Sequence, residues 1–166
     1  EWDKPNPINE YGRTKLLGER VIKSLTNRYF IVRTSWLFGK NCKTFASRLL
    51  ENKEKPKTAK VLANQFGAFT YTKDLCIYLA QLISTDYFGI YHLVNKGKGS
   101  WFNFLTAAKK SGDFITEILP VKVEELKLDA RRPMEAELGS MFYEAVFDRS
   151  MRRWEEALDD FIKSLR

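Results

Sequence analysis

Leu16, Leu17, Val21, Ile22 and Leu25 fall at three- and four-residue intervals, which predicts a helix near residues 9–26 with that stripe buried. Pro5, Pro7 and Asn9 hold the chain extended before it. Residues 29–38, Tyr-Phe-Ile-Val-Arg-Thr-Ser-Trp-Leu-Phe, are β-branched and aromatic and end at Gly39, the pattern of a strand buried on both faces. A short helix is expected over 43–52, followed by a lysine-rich loop around Pro56. Residues 60–63 read as a short strand, and Gly67 interrupts the segment after it. Thr72 is placed to cap a helix reaching about residue 83, with Asp74 in the first turn, where a carboxylate suits the helix dipole. Residues 89–94 alternate as a strand, and Gly97 and Gly99 mark a turn. Ser100 is a good cap for a helix over 101–111 that Gly112 can end, and 114–121 looks extended. After Ser150, Met151, Trp154, Ala157, Leu158, Phe161, Ile162 and Leu165 line one helical face. Strands alternate with helices, so the expected class is α/β.

At 166 residues and 44% hydrophobic, the chain can bury a core in one domain, or in a domain plus part of another. No apolar run approaches the ~18–20 residues that span a bilayer, so no membrane partner is expected. The opening Glu1-Trp-Asp-Lys-Pro5 is not a signal-peptide pattern. Cys42 and Cys76 match no metal-ligand or redox spacing, and read as free thiols of a cytoplasmic protein without a metal site. The net charge of +7 suits either nucleic acid or a small anion such as a nucleotide diphosphate. Acids alternate with bases in Glu51-Asn-Lys-Glu-Lys-Pro-Lys57, as on a solvated loop. No zinc-finger, RNA-recognition or helix-turn-helix signature accompanies the charge, so nucleic acid is not the expected partner.

Candidate chemistry starts at Tyr11-Gly-Arg-Thr-Lys15. Spaced i,i+4 on a helix, the phenol and the ammonium share a face. A nearby cation favours the phenolate, so Lys15 is expected to bring the Tyr11 pKa down from about 10 towards working pH. Such a tyrosine can exchange a proton with a sugar or alcohol oxygen. The same spacing also describes two solvated helix residues.

The rest of the chain favours the chemical reading. Asn6-Pro-Ile-Asn-Glu-Tyr-Gly-Arg-Thr-Lys15, Leu17-Gly-Glu19, Val32-Arg-Thr-Ser-Trp36 with Gly39, Asn64-Gln-Phe-Gly67, Thr70-Tyr-Thr-Lys-Asp-Leu75, Gly89-Ile-Tyr-His92, Ser100-Trp101 and Ala130-Arg-Arg-Pro133 occur in one order. In that order they resemble the C-terminal part of the dTDP-4-dehydrorhamnose reductase family, extended short-chain dehydrogenases/reductases. The resemblance covers nearly the whole chain. It implies the last strands and helices of an NAD(P)-binding Rossmann-like sheet plus a small α/β substrate-binding domain. Residues 1–55 would carry the catalytic helix and a Rossmann strand and helix, and 56–166 mainly the substrate-binding region.

The family reduces the 4-keto group of a dTDP-linked sugar with NADPH or NADH. By the resemblance, Tyr11 gives the proton to the keto oxygen, while Lys15 depresses its pKa and hydrogen-bonds the nicotinamide ribose. Trp36 falls at a sugar-contacting tryptophan, or is a core residue at a strand end. Arg131 and Arg132 suit a diphosphate, or are surface arginines near a turn. His92, the single histidine, reads as a packed or strand-edge residue.

The family's Gly-rich dinucleotide fingerprint is not in these residues, and its strand Ser/Thr before the tyrosine has no counterpart. The expectation is therefore a C-terminal portion, inactive alone, that self-associates as a homo-oligomer or pairs with the N-terminal half. Ala68-Phe69 replaces a usual Ser-Pro, and Ala136 a common serine. An epimerase or dehydratase of another nucleotide sugar, and a non-catalytic nucleotide-sugar-binding subunit, remain alternatives.

Overall fold

The computed structural model describes residues 1–51, 56–111, 116–126 and 130–165. The expected helix stop at Gly112, the start of the extended segment at Phe114 and part of the loop before Pro56 lie outside them.

Helix α1 (Glu10–Leu25) begins at Asn9, whose Oδ1 accepts a hydrogen bond from the Gly12 N–H at 2.8 Å. No residue of α1 is fully buried. Its inward side is the half-buried Gly12, Leu16 and Glu19. The stripe expected to be buried is largely exposed: Leu17 at 60%, Val21 at 47%, Ile22 at 42% and Leu25 at 78%. Helical spacing gives an apolar face but not what covers it, and α1 turns that face away from the sheet.

The expected single strand over 29–38 is two. Strand β1 (Phe30–Arg33) ends before a turn at Trp36, and β2 (Leu37–Phe38) comes after the turn. Trp36 has φ +33°, a left-handed value that breaks the ladder. Nor is β1 buried on both faces, since only Ile31 is fully covered. Helix α2 (Phe45–Glu51) and strand β3 (Thr58–Leu62) fall where the sequence puts them.

Gly67 interrupts nothing, because it lies inside β4 (Phe66–Ala68), which leads into β5 (Thr70–Tyr71). Helix α3 (Thr72–Ile83) takes Tyr71 as its N-cap, so Thr72 is its first residue and not the cap. Strand β6 (Gly89–His92) precedes a short β7 (Lys98–Gly99). Helix α4 (Trp101–Ser111) has the expected cap at Ser100, whose Oγ accepts from the Asn103 N–H while Asn103 Oδ1 accepts from the Ser100 N–H.

Strands β8 (Glu117–Val121) and β9 (Glu135–Ala136) and helix α5 (Met141–Phe147) lead to α6 (Trp154–Lys163). The Met151 end of the predicted α6 face precedes the helix, although Met151 is itself buried.

Parallel pairing dominates. Strand β1 lies against β6 from Phe30↔Gly89 to Arg33↔His92, β2 against β5, and β3 against β8. Strand β4 sits between β7, antiparallel, and β9, parallel. Two apolar clusters form. One joins Phe38, Phe69, Tyr71, Phe104 and the buried α6 residues; the other joins Tyr78, Leu82, Tyr91, Leu93, Tyr143 and Met151. Asn95 stitches the interior: its Oδ1 accepts from the Tyr71 N–H, and its amide donates to Asp74 and to the Arg152 carbonyl.

Candidate active site

The Asn9 cap fixes where α1 starts, and that places Tyr11 in its first turn and Lys15 one turn on. Tyr11 is 72% exposed. The Lys15 ammonium lies 5.4 Å from the centroid of the Tyr11 ring, so the two side chains meet as the spacing predicts. Among the described residues, neither the Tyr11 hydroxyl nor the Lys15 ammonium has a hydrogen-bond or ion-pair partner within the chain. Below them, Arg33 Nε and Nη2 grip the Glu19 carboxylate at 2.8 and 2.6 Å and tie α1 to β1. That bond raises the Arg33 pKa further above its ordinary value.

Trp36 is half-buried between β1 and β2. Its indole stacks on Trp101, with centroids 5.0 Å apart and planes 21° from parallel, and meets Phe69 edge-on at 5.2 Å. Gly67 lies under the ring, where a Cβ would come within 3.0 Å of the indole. Phe69, one of the departures from the family pattern, is fully buried beneath both tryptophans. Trp36 is thus both part of an aromatic cluster and partly open.

Trp101 also lines a cleft of about 320 Å³ with Phe45, Lys60, Val61, Leu62, Leu126 and Arg132. The cleft has an apolar floor and two cations, the makeup of a small-molecule site. Arg131 and Arg132 are exposed, but their backbone is anchored. The Asn9 side-chain amide donates to the Arg131 carbonyl at 2.8 Å. The Gln65 amide donates to the Pro133 carbonyl at 2.9 Å, and the Phe66 N–H to the Met134 carbonyl at 2.8 Å.

The structure therefore brings the arginine stretch to the start of the Tyr11 helix and sets Arg132 in the same cleft as Trp101. Among the described residues, no hydrogen bond or aromatic contact joins Tyr11 to Trp36 directly. His92 is buried, with Nδ1 3.1 Å from the Gly139 carbonyl oxygen, a packed residue as the strand pattern implies. Burial pushes its pKa below the ordinary value, so the imidazole is neutral at pH 7.

Sequence reasoning gave no role to Glu1, Gln65 or Trp101, and gave Asn9 only the extended lead-in to the helix. Glu1 accepts hydrogen bonds from the His92 and Phe142 N–H groups at 2.9 and 3.1 Å, fixing the lead-in to the helix. Asn9, Gln65 and Trp101 all lie in recognised motifs, but their partners are far along the chain or on another element, and no local spacing reveals them. Cys42 and Cys76 are both free.

Known proteins share this outline. The family described as the RmlD substrate binding domain matches residues 1–166. A spore coat polysaccharide biosynthesis protein of Bacillus subtilis (strain 168) is 36% identical over 98% of this chain and 57% of its own length. The dTDP-4-dehydrorhamnose reductase of Salmonella typhimurium is 30% identical over 93% of this chain and 56% of its own. The crystal structure of dTDP-4-dehydrorhamnose reductase from Bacillus anthracis in complex with NADP superposes with a TM-score of 0.91 at 36% identity, covering 100% of this chain and 59% of that one. The chain thus spans little more than half the length of the proteins it resembles.

Proposed function

Because the chain belongs to the RmlD substrate binding domain family, we propose that it forms the substrate side of an NAD(P)H-dependent sugar-nucleotide reductase. The reaction is reduction of the 4-keto group of dTDP-4-dehydro-L-rhamnose to give dTDP-L-rhamnose. The observation that carries this reading is the hydrogen bond from Asn9 to the Arg131 carbonyl, which joins the Tyr11 helix to the two arginines. One side of that joint offers a proton donor and the other offers cations suited to a diphosphate. The names of the Salmonella and Bacillus anthracis relatives support the substrate, and the NADP of the latter supports the cofactor.

Tyr11 donates the proton to the keto oxygen, and Lys15 stabilises the phenolate left behind. Trp36 offers the part of its indole left exposed by Trp101 and Gly67 to the pyranose, and Arg131 and Arg132 take the diphosphate. NADPH or NADH, when bound, supplies the hydride. The chain's residues fit the ribose end of such a cofactor, since Lys15 is exposed and has no carboxylate partner among the described residues. Its ammonium is free to hold a ribose hydroxyl. In this reading residues 1–55 carry the catalytic helix and 56–166 mainly the substrate region, with β1 and β6 pairing across that division. The free thiols support a cytoplasmic setting.

The test is turnover. The complete protein carrying this chain should oxidise NADPH only when given a dTDP-4-keto sugar, and the 166-residue chain alone should not. Epimerisation of a nucleotide sugar without net loss of NADPH would transfer the assignment to an epimerase. Nucleotide-sugar binding by the complete protein without any turnover would make it a binding subunit.

A further inference from the structure

Two side-chain amides grip the backbone on either side of Arg132. Asn9 Nδ2 donates to the Arg131 carbonyl at 2.8 Å, and Gln65 Nε2 donates to the Pro133 carbonyl at 2.9 Å. Gln65 is only 4% exposed, and a buried amide that lost its acceptor would bear the full cost of desolvation. Asn9 has a second duty, because its Oδ1 caps α1 through the Gly12 N–H at 2.8 Å. The amide that sets the start of the Tyr11 helix therefore also sets the carbonyl before Arg132.

Between these two anchors, Arg132 lines the cleft with Lys60 and Trp101. An arginine on a free loop loses conformational freedom when it takes an anion, and holding both flanking carbonyls removes part of that loss in advance. The geometry points to Asn9 and Gln65 as positioning residues that hold the Arg132 guanidinium at the cleft for the diphosphate of a nucleotide ligand, at a fixed place relative to Tyr11. This rests on the nucleotide-sugar reading above. Neither amide touches the ligand; each acts through the backbone of Arg131–Pro133.

The probe is dTDP, with thymidine, which lacks the diphosphate, as its control, titrated calorimetrically into the complete protein. Asn9→Asp keeps the acceptor for the Gly12 N–H and loses the donor to Arg131. It should weaken dTDP roughly fivefold, the worth of one neutral hydrogen bond, and leave thymidine unchanged. Exchange of the amide hydrogens over residues 130–134, Pro133 having none, should quicken, while the protein still folds and melts cooperatively. Gln65→Met should act the same way; should it fail to fold, Asn9→Asp alone decides, since Asn9 is on the surface side of the joint.

Arg132→Ala should weaken dTDP about tenfold or more, and Asn9→Asp should add little on top of it, because both act through one guanidinium. Equal weakening of dTDP and thymidine, full additivity in the double variant, or unchanged exchange at 130–134 would each overturn the inference. If Arg132→Ala abolishes the preference for dTDP while Asn9→Asp leaves it intact, the clamp is wrong and the nucleotide reading stands. If the unaltered protein binds dTDP no better than thymidine, that reading fails and the clamp fails with it.

Discussion

Trp36 holds a left-handed φ of +33°, which a bulky side chain adopts only when its surroundings impose it. Stacking on Trp101 and the bare Cα of Gly67 beneath the ring supply that constraint. Gly67→Ala should push a methyl to about 3.0 Å from the indole, destabilise the protein by about 1–3 kcal/mol and change the near-ultraviolet circular dichroism of the Trp36–Trp101 pair. An unchanged spectrum and melting temperature would show that the indole has room. Lys15→Ala belongs to the same scale: on the proposed reading it should lower kcat of the complete protein and also weaken nicotinamide binding, as substrate and cofactor titrations would separate. The contact between Tyr11 and Lys15 was legible in the sequence because helical spacing alone puts the two side chains together. The turn at Trp36 was not, since nothing local marks a tryptophan for positive φ, and the partners that hold it come from β4 and α4.

Helices α1 and α6 show where periodicity suffices and where it does not. In α6 the predicted face, Trp154, Ala157, Leu158, Phe161 and Ile162, is the buried one, because α4 and the Phe38 cluster lie against it. In α1 an equally regular stripe is exposed, and the helix is held instead by Asn9 at its start and by the Glu19–Arg33 pair at its middle. Glu19→Gln should lose the charge-assisted part of that pair, at a cost of about 1–3 kcal/mol, with faster amide exchange confined to α1. Exchange that rises uniformly over the chain would mean α1 is not held separately.

Helix α6 also anchors through Asp160, whose carboxylate is held below the usual range first by its hydrogen bond to Arg152 and also by Lys73. A depressed folded pKa means that its stabilisation is complete above the unfolded value of about 4 and is lost as pH falls through the folded one. The melting temperatures of the native chain and Asp160→Asn should therefore differ at neutral pH and converge as the pH drops below about 4. A gap that persists unchanged to about pH 2 would remove Asp160 from this role.

For the whole molecule, strand order and helix faces outline an α/β fold whose β1–β6 sheet has only two strands among the described residues. Among the described residues β1 pairs with β6 alone, and a strand edge without a partner pairs readily. The isolated chain should accordingly self-associate, and sedimentation of a single monomeric species at micromolar concentration would contradict that. Fold class was readable because alternating strand and helix patterns are local. The short strands β2, β4, β5, β7 and β9 were not, since two or three residues carry no periodicity and gain their identity from partners far along the chain.

The role proposed for Tyr11, proton donor on the substrate side of a nucleotide-sugar reductase, is decided by Tyr11→Phe in the complete protein. The measurement is NADPH oxidation driven by dTDP-4-dehydro-L-rhamnose, with kcat and KM determined separately. General acid catalysis is worth ~10²–10⁴-fold, so kcat should fall by that order while KM, cofactor binding and melting temperature stay near those of the unaltered protein. A variant that keeps nearly full kcat would contradict the assignment of Tyr11.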